Sequence, residues 1–479
     1  MNQFRVGFSR VNIDPPLGIP VRGYFVDRFA SGILDHLHIN MIALSCDAPE
    51  YTRTAVYDPD TGRYADRQTE TYGKCILMAC IDNCGLPTVQ CDEYRSLISR
   101  KTGVPADRIY LHSDHTHTAP TTLVEDGGYP EHKEMIAKYA ELVGARFADA
   151  AAAALKDMKP ARMGFCIGRA PERIAYIRRY RMKDGTTMTC PPINDPNIDH
   201  PIGELDQRVN VVRFDREGGD TVVILNYGLH ADTLNLDQIS PDWPGELAKT
   251  FEAAVPDAKI VTFVGAQGDV GSTHTTPEAG DMNDTFISFD NEMKSVGMCR
   301  FVGRALAGTV LQVYDKVEYV PVDSIGALMK TVRVAANVPA PEELPLAHKY
   351  KELHEAGRDC DIPYKAMELT TVVAEALRMC RLENGPDHFD FRLTGVRIGP
   401  VAFVGIPGEP FTEIGRQIKK AEGWKLICPT VNTNGKEGYF PMKEAFDEGG
   451  YEARSSNFRG GVAETIIEGA LGLLKEMRK

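Results

Sequence analysis

The sequence lacks any run approaching the roughly 20 consecutive apolar residues that a membrane-spanning helix needs. Its start, residues 1–8, also lacks a basic segment, an apolar core and a small-residue cleavage site. We therefore expect neither insertion into a membrane nor export by a standard signal peptide.

An excess of positive charge is missing as well, because the 479 residues carry a formal net charge of −13. Nucleic-acid binding depends on a net or locally dense positive field. We therefore exclude nucleic acid as the natural partner. One basic concentration exists, made of Arg169, Arg173, Arg178, Arg179, Arg181 and Lys183. Such a run is typical of a solvated face, but it also suits an acidic group on a small substrate.

A disulfide framework is the third feature that is missing. The eleven cysteines form an odd number and have no regular framework spacing. This pattern favours reduced thiols and therefore a cytoplasmic protein. Cys75 and Cys80 lie in an apolar run, so we expect buried small side chains there rather than thiolate metal ligands.

Short apolar runs alternate along the chain with longer amphipathic patterns, in a composition of 43% hydrophobic and 25% charged residues. The runs predict strands at 4–11, 38–45, 75–81, 109–112, 209–214, 222–227, 260–264, 389–398 and 401–404. The amphipathic patterns predict helices at 92–101, 131–155, 245–254, 291–314, 365–382, 411–421 and 462–479. This alternation predicts an α/β protein.

Two polar stretches interrupt the alternation. The stretch 49–74 predicts a hairpin or flap inserted between two core strands. The stretch 335–360, which contains Pro339, Pro341 and Pro345, predicts a surface excursion. No low-complexity linker separates the parts, so we expect residues 1–479 to form one unit, with a division near residue 320 as the alternative.

Three predicted strands run into residues of the metal-ligand type. His115 and His117 follow the strand at 109–112, and residues two apart on an extended chain project to the same side. His230 follows the strand at 222–227, and Glu409 follows the strand at 401–404. Imidazole and carboxylate groups bind zinc, and a catalytic zinc keeps one position open. The residues alone leave two other interpretations open: histidines that merely end strands, and a glutamate placed at a helix start by the helix dipole.

The segments that carry these residues resemble the zinc-dependent catalytic domain of the neutral/alkaline ceramidase family, over almost the whole chain. The similar segments are VGFSRVNID (6–14), SDHTHTAP (113–120), NYGLH (226–230), QGDV (267–270), PGEPFT (407–412), GYFP (438–441) and YEARSS (451–456). Their order and separation along the chain also match the family.

The resemblance implies a fold of mixed sheets layered with helices and a bound Zn²⁺. It implies that the zinc ligands are His115, His230, Glu409 and Tyr439. It also implies that His117 and Tyr451 line the reacting side and that Arg169 contacts the substrate. We assign proton transfer to His117, and stabilisation of the developing oxyanion to Tyr451 or Arg169. Asp242 is expected to orient a ligand histidine.

The reaction that follows from the resemblance is hydrolysis of an amide bond by metal-activated water, with an ester or lactone as alternative bonds. A metal-dependent lyase or epimerase acting on a sugar acid is a second hypothesis. A non-catalytic metal-binding paralogue is a third. The sequence leaves the substrate, the native metal and the oligomeric state open.

The chain departs from the family pattern in two places. Gly271 stands where ceramidases have a serine, and Ser272 replaces that serine only if the loop shifts by one residue. The chain also ends at Lys479, so we expect a divergent member without the C-terminal β-sandwich domain of secreted ceramidases. Because a long apolar lipid-docking run is missing too, we expect a small, polar, acidic substrate.

Overall fold

The structure is a computed structural model that describes residues 3–47, 50–59, 62–123 and 130–479. Its first strands are β1 (Arg5–Asn12), β2 (Gly32–Ile33), β3 (His38–Ser45), β4 (Glu50–Asp58), β5 (Arg63–Thr71), β6 (Ile76–Ile81), β7 (Ile109–Ser113), β8 (Lys159–Arg169), β9 (Tyr176–Ile177), β10 (Arg179–Met182), β11 (Thr187–Thr189), β12 (Ile198–Pro201) and β13 (Arg208–Arg216). The later strands are β14 (Thr221–Tyr227), β15 (Gln238–Ile239), β16 (Ala258–Val264), β17 (Val270–Gly271), β18 (Phe286–Ile287), β19 (Met293–Lys294), β20 (Glu318–Val320), β21 (Ile325–Ala335), β22 (His388–Ile398), β23 (Val401–Gly405), β24 (Glu409–Pro410), β25 (Leu426–Thr430) and β26 (Tyr439–Phe440).

The helices of the described residues are α1 (Thr88–Thr102), α2 (Lys133–Lys156), α3 (Trp243–Ala254), α4 (Val296–Tyr314), α5 (Leu344–Glu355), α6 (Ala366–Leu382), α7 (Thr412–Ile418), α8 (Lys443–Glu448), α9 (Tyr451–Ser455) and α10 (Val462–Met477). None of them combines the length and the apolarity that crossing a bilayer requires.

Two sheets form the centre of the fold. The larger has nine strands in the order β16-β14-β13-β8-β1-β3-β6-β7, with β20 paired to β8. The smaller has four strands in the order β21-β22-β23-β25. Both sheets are mixed, since β6–β7, β14–β16 and β23–β25 run parallel and their other pairs antiparallel. The predicted α/β class with mixed sheets is confirmed.

The apolar core lies in three layers between four layers of secondary structure. One cluster packs α1 and α2 on the half of the large sheet that contains β1, β3, β6 and β7. A second packs α3 and α4 on β13, β14 and β16. A third fills the space between the two sheets, and a fourth packs α7 and α10 on the outer face of the small sheet. The order helices, sheet, sheet, helices buries both faces of each sheet, which explains why the central strands read as continuous apolar runs.

Two predicted elements differ from the observed ones. Helix α4 begins at Val296 rather than near residue 291, because Ser295 caps it by accepting a hydrogen bond from the Met298 amide at 2.9 Å. The stretch 335–360, predicted as a surface excursion, contains helix α5. The sequence did not predict this helix because of the prolines in the stretch. Pro345 lies in the first turn of that helix, where its missing amide hydrogen costs nothing.

Strands β4 and β5 pair as an antiparallel hairpin within the stretch predicted as a hairpin or flap, although Pro49 lies outside the described residues. The hairpin departs after Ser45 and returns before Ile76. The register pairs Leu44 with Ile76, so the hairpin is attached where β3 ends and β6 begins. Strand β7 runs parallel to β6 and leads to His115 at the opposite end of the sheet. That the whole chain is one domain stays a prediction.

Hydrogen bonds of the Asn226 side chain connect the large sheet to the small sheet. Its side chain is fully buried in β14 and donates to the carbonyls of Phe263 and Pro429, each at 2.8 Å. Asn226→Leu leaves both carbonyls unpaired, so we expect a loss of roughly 2–4 kcal/mol in the free energy of unfolding. Denaturant titration measures it. The control Gln238→Leu, at an exposed position of β15, should change stability by less than about 0.5 kcal/mol; equal losses would contradict the argument.

Candidate metal centre

Three strand ends bring His115, His230 and Glu409 together, and we refer to these residues as the three-ligand cluster. Glu409 Oε2 lies 3.0 Å from His115 Nε2 and 3.1 Å from His230 Nε2. All three side chains are buried, with at most 5% of each exposed. One ligand atom from each residue lies within 4.8 Å of the others. The arrangement suits one metal ion with nitrogen and oxygen ligands.

The other ring nitrogen of each histidine is bound to the backbone. His115 Nδ1 donates to the Cys84 carbonyl at 2.8 Å, and His230 Nδ1 donates to the Val270 carbonyl at 2.9 Å. These bonds assign the hydrogen of the neutral rings to Nδ1, so both Nε2 lone pairs face Glu409. Metal-binding histidines are held in this way, because the backbone bond fixes both tautomer and orientation. The donor set therefore fits zinc.

Electrostatics at the cluster favour a cation. Burial by itself lowers the pKa of His115, but the neighbouring charges of Glu409 and Cys84 raise it to about 10. Burial and the Arg178 charge lower the pKa of His230 to about 4. Burial raises the pKa of Glu409, yet the two histidines hold it well below its usual range. The proton on His115 therefore neutralises the Glu409 carboxylate, at the place where a metal ion would supply the positive charge.

His115 also stands in an unusual backbone conformation. Its φ is 69°, in the left-handed region that residues other than glycine rarely adopt. The strand β7 has just ended, and the His115 amide donates to the Asn83 carbonyl at 3.0 Å. The local strain turns the imidazole toward the cluster, as is common where the surrounding structure holds a functional residue in place.

The structure brings His117 to the cluster. Its Nε2 lies 3.3 Å from His115 Nε2, and its Nδ1 lies 3.4 Å from an oxygen of Asp232. Burial and the imidazole of His115 hold the pKa of His117 well below its usual range. The neutral ring can therefore accept a proton on the side that faces the cluster.

Tyr439 and Tyr451 lie beside the cluster as well. Strands β24 and β26 pair in parallel and set Tyr439 opposite Glu409. The Tyr439 and His230 ring centroids are 6.5 Å apart, and those of Tyr439 and Tyr451 are 5.6 Å apart. Burial, and next the Glu409 charge, raise the pKa of Tyr439, while Arg178 acts in the opposite direction.

Arg178, rather than Arg169, is the arginine that the structure places at the cluster. Arg169 is exposed at the end of β8, opposite Arg208, and has no hydrogen bond to the cluster among the described residues. Arg178 is buried and donates to the Tyr439 hydroxyl at 3.0 Å and to Glu452 at 2.7 Å. The sequence did not distinguish Arg178 from its basic neighbours, since its partner Glu452 is 274 residues away.

Asp242 acts on the chain around His230 and not on the imidazole ring. Its carboxylate accepts from the Thr233 amide at 2.9 Å and from the Leu234 amide at 3.0 Å. The next residue, Trp243, donates from its indole to the His230 carbonyl at 2.9 Å. That Asp242 orients a ligand histidine stays a prediction, and any such effect would act through the loop, because the ring itself is bound to Val270.

Gly271 occupies the position of the family serine, and Ser272 does not take its place. Gly271 lies in β17, and a β-carbon added there would lie 3.1 Å from a carboxylate oxygen of Glu292. Ser272 is turned to a different cavity, which it lines with Arg173 and His274. That cavity contains neither tyrosine of the metal centre. The loop therefore does not have the one-residue shift that would place the Ser272 hydroxyl in the site.

Carboxylates of the protein pair with four of the six basic residues that cluster in the segment 169–183. Arg173 pairs with Asp281 at 2.5 Å, and Arg178 pairs with Glu452 at 2.7 Å. Arg179 and Arg181 each lie 3.1 Å from Glu448. The internal carboxylates therefore balance the charges of these four arginines, and a substrate anion bound by the basic concentration stays a prediction.

A second buried charge network lies behind His117, and sequence reasoning missed it. Lys294 is fully buried; its ammonium lies 2.7 Å from Asp232 and 2.5 Å from Glu292. Asp232 also accepts a hydrogen bond from the Tyr24 hydroxyl. The acidic group of Asp232, Asp290 and Glu292 resembles a metal site in its spacing. The Lys294 ammonium already pairs with two of these carboxylates, those of Asp232 and Glu292, so we assign no ion there.

Comparison with solved structures identifies the fold as ceramidase-like. The neutral ceramidase from Pseudomonas aeruginosa superimposes with a TM-score of 0.68 at 15% sequence identity, covering 100% of this chain and 75% of that chain. A structure described as ceramidase complexed with C2 gives a TM-score of 0.68 at 14% identity and covers 100% of this chain and 76% of that one. No family model and no curated protein matches the sequence. The predicted ceramidase-like fold is confirmed, and at this identity the likeness concerns the fold alone.

Zinc binding tests the cluster directly. His115→Ala and Glu409→Gln should each abolish stoichiometric zinc binding while leaving the fold intact, because each removes one of three converging donors. The control His36→Ala changes an exposed histidine that pairs with Asp14, and it should bind zinc as the wild type does. Metal analysis after dialysis, beside circular dichroism, gives the answer. Full zinc content in the His115→Ala variant would contradict the assignment.

Proton release on zinc binding tests the charge state of the ligands. With a pKa near 10, His115 is protonated at pH 8 and must lose its proton to bind metal, whereas His230, with a pKa near 4, is already neutral. If Tyr439 binds as a phenolate, wild type releases about two protons and Tyr439→Phe about one. Zinc affinity should then rise with pH above pH 8. Calorimetry in buffers of different ionisation enthalpy counts the protons; no release at pH 8 would contradict this picture.

Proposed function

We propose that this protein is a zinc-dependent hydrolase that cleaves an amide bond in a small polar substrate, with an ester or a lactone as alternative bonds. The observation that carries the proposal is the convergence of His115, His230 and Glu409, with both Nδ1 atoms bound to backbone carbonyls. The likeness to structures named ceramidase supports hydrolysis as the reaction.

The residues that would hold zinc are His115, His230, Glu409 and Tyr439. Arg178 donates to the Tyr439 hydroxyl oxygen at 3.0 Å and so stabilises the phenolate form that a ligand needs. Zinc bound there would supply a Lewis acid and would lower the pKa of a water molecule to near 7.

His117 is the proton acceptor in this proposal. Its Nε2 is directed at the cluster, where a nucleophilic water must lie, and its neutral state lets that atom take a proton. Asp232 lies behind the ring, 3.4 Å from Nδ1, and its negative charge stabilises the imidazolium that proton transfer produces. His117 then donates the proton to the leaving group.

Tyr451 is the oxyanion donor. Its ring lies 5.6 Å from that of Tyr439, and it lines the cavity that opens beside the cluster. Burial, which outweighs the opposing Arg178 charge, raises the pKa of Tyr451, so the hydroxyl keeps its hydrogen at neutral pH and can donate it. A substrate contact by Arg169 stays a prediction from the family resemblance.

A metal-dependent lyase or epimerase acting on a sugar acid is the second candidate. The lack of a hydroxyl at the family's serine position favours it, since Gly271 occupies that position and Ser272 faces another cavity. Reaction in ¹⁸O-labelled water separates the two functions, because hydrolysis must incorporate solvent oxygen into the product and elimination or epimerisation need not. A zinc-loaded protein inactive toward both substrate classes would favour the non-catalytic paralogue.

Paired variants test the roles of His117 and Ser272. His117→Ala should lower kcat by roughly 10²-fold or more, as loss of a general base does. Ser272→Ala should retain most of the rate, because its hydroxyl lies outside the reacting cavity. Both variants should keep one zinc by metal analysis. An inactive Ser272→Ala variant with intact zinc would contradict the proposed mechanism.

A further inference from the structure

A cavity of about 530 Å³ opens beside the metal centre and contains both Tyr439 and Tyr451 in its wall. Its volume lies in the range of small-molecule sites. Polar groups from several separate parts of the chain line it, and Phe25, Leu123 and Leu377 supply apolar surface. A substrate whose scissile bond reaches the cluster would place its remaining groups in this cavity.

Positive charge predominates in the cavity wall. Among the described lining residues, Arg22, Arg381 and Lys436 are cations and Glu437 is the single carboxylate. Thr88 donates a hydrogen bond to Glu437, and burial raises the pKa of that carboxyl group. On a protein of net charge −13, such a wall is a local exception to the overall charge.

Lys436 differs in its partners from the arginines near the metal centre. Its ammonium lies 3.5 Å from the Cys84 sulfur, and no carboxylate of the described residues forms an ion pair with it. Arg22 donates to Thr121 and Arg381 donates to Asn457, so both guanidinium groups are already oriented. Lys436 is therefore a cavity cation that has a sulfur neighbour but no carboxylate partner among the described residues.

The backbone is adapted to hold Lys436 in this place. Gly85 has a φ of 127°, and a β-carbon there would lie 2.4 Å from the Lys436 side chain. The lysine stem thus lies directly across the loop that contains Cys84, whose carbonyl binds the His115 ring. A single residue, Cys84, therefore contacts both the Lys436 ammonium and the imidazole of a zinc ligand.

We propose that this cavity selects substrates bearing a carboxylate, which Lys436 binds while the scissile amide lies at the metal centre. The inference rests on the proposed function for the position of the amide, but the carboxylate site itself depends only on the cavity. An ammonium that has no carboxylate partner among the described residues can bind a substrate carboxylate by a charge-assisted hydrogen bond. The substrate class is thus a compact N-acyl amino acid or a similar amide acid.

The test uses two compounds that differ only in charge: N-hexanoylglycine and N-hexanoylglycinamide. Calorimetry on the metal-free wild type should show about tenfold or tighter binding of the acid, as expected for a hydrogen bond to a charged group. Lys436→Met should remove that preference, and Lys436→Arg should restore most of it. Lys443→Met changes an exposed lysine outside the cavity and should behave as the wild type.

The same compounds given to the zinc-loaded enzyme separate this inference from the proposed function. If the acid is preferred in binding but neither amide is cleaved, the reaction is wrong and the carboxylate site stands. If both amides are cleaved equally well, or if Lys436→Met raises KM for both by the same factor, the carboxylate site is wrong. Equal binding of both compounds, or binding of neither, to the metal-free wild type would also overturn it.

Discussion

A carboxylate buried among imidazoles needs a cation, and the metal centre is built around this constraint. Glu409 has 5% of its side chain exposed and lies within about 3 Å of two imidazole nitrogens. Desolvating an unpaired carboxylate is costly, so the fold must provide a positive charge there. In the metal-free chain a proton on His115 provides it. A divalent ion bound there would replace that proton and would satisfy the donors that converge on one point.

Contacts between the two sheets hold the strand ends that carry His115 and Glu409 close to each other. The segment after β25 crosses between the ends of β7 and β16: the Ser113 amide donates to Asn432, and the Val431 amide donates to Val264. His112 fills the same gap, since its Nδ1 lies 2.8 Å from the Val431 carbonyl and its Nε2 accepts from the Val264 amide. Burial lowers its pKa to about 3, so this histidine is a structural residue. It joins the edge that leads to His115 to the small sheet that leads to Glu409.

The sequence predicted features that depend on neighbouring residues, but not contacts between residues far apart along the chain. Strand ends are local features, and an apolar run that stops in His-Thr-His or Pro-Gly-Glu predicted the positions of His115, His117 and Glu409. The roles of Arg178 and Lys294 are not local, because each depends on which carboxylate the fold brings to it. Arg178 meets Glu452 across 274 residues, and Lys294 meets Asp232 across 62. No pattern within one segment distinguishes such a cation from a solvated one.

Charge balance separates cations that hold the fold from cations that are available to a ligand. Lys294 is completely buried, and Asp232 and Glu292 surround its ammonium, so its role is fixed by partners it cannot leave. Arg178 is likewise bound on both sides, by Glu452 and by the Tyr439 hydroxyl. Lys436 lies in a cavity wall against a sulfur atom rather than a carboxylate. Because Lys436 is partly exposed in the cavity wall and has no carboxylate partner among the described residues, its charge would favour an anion that arrives with the substrate.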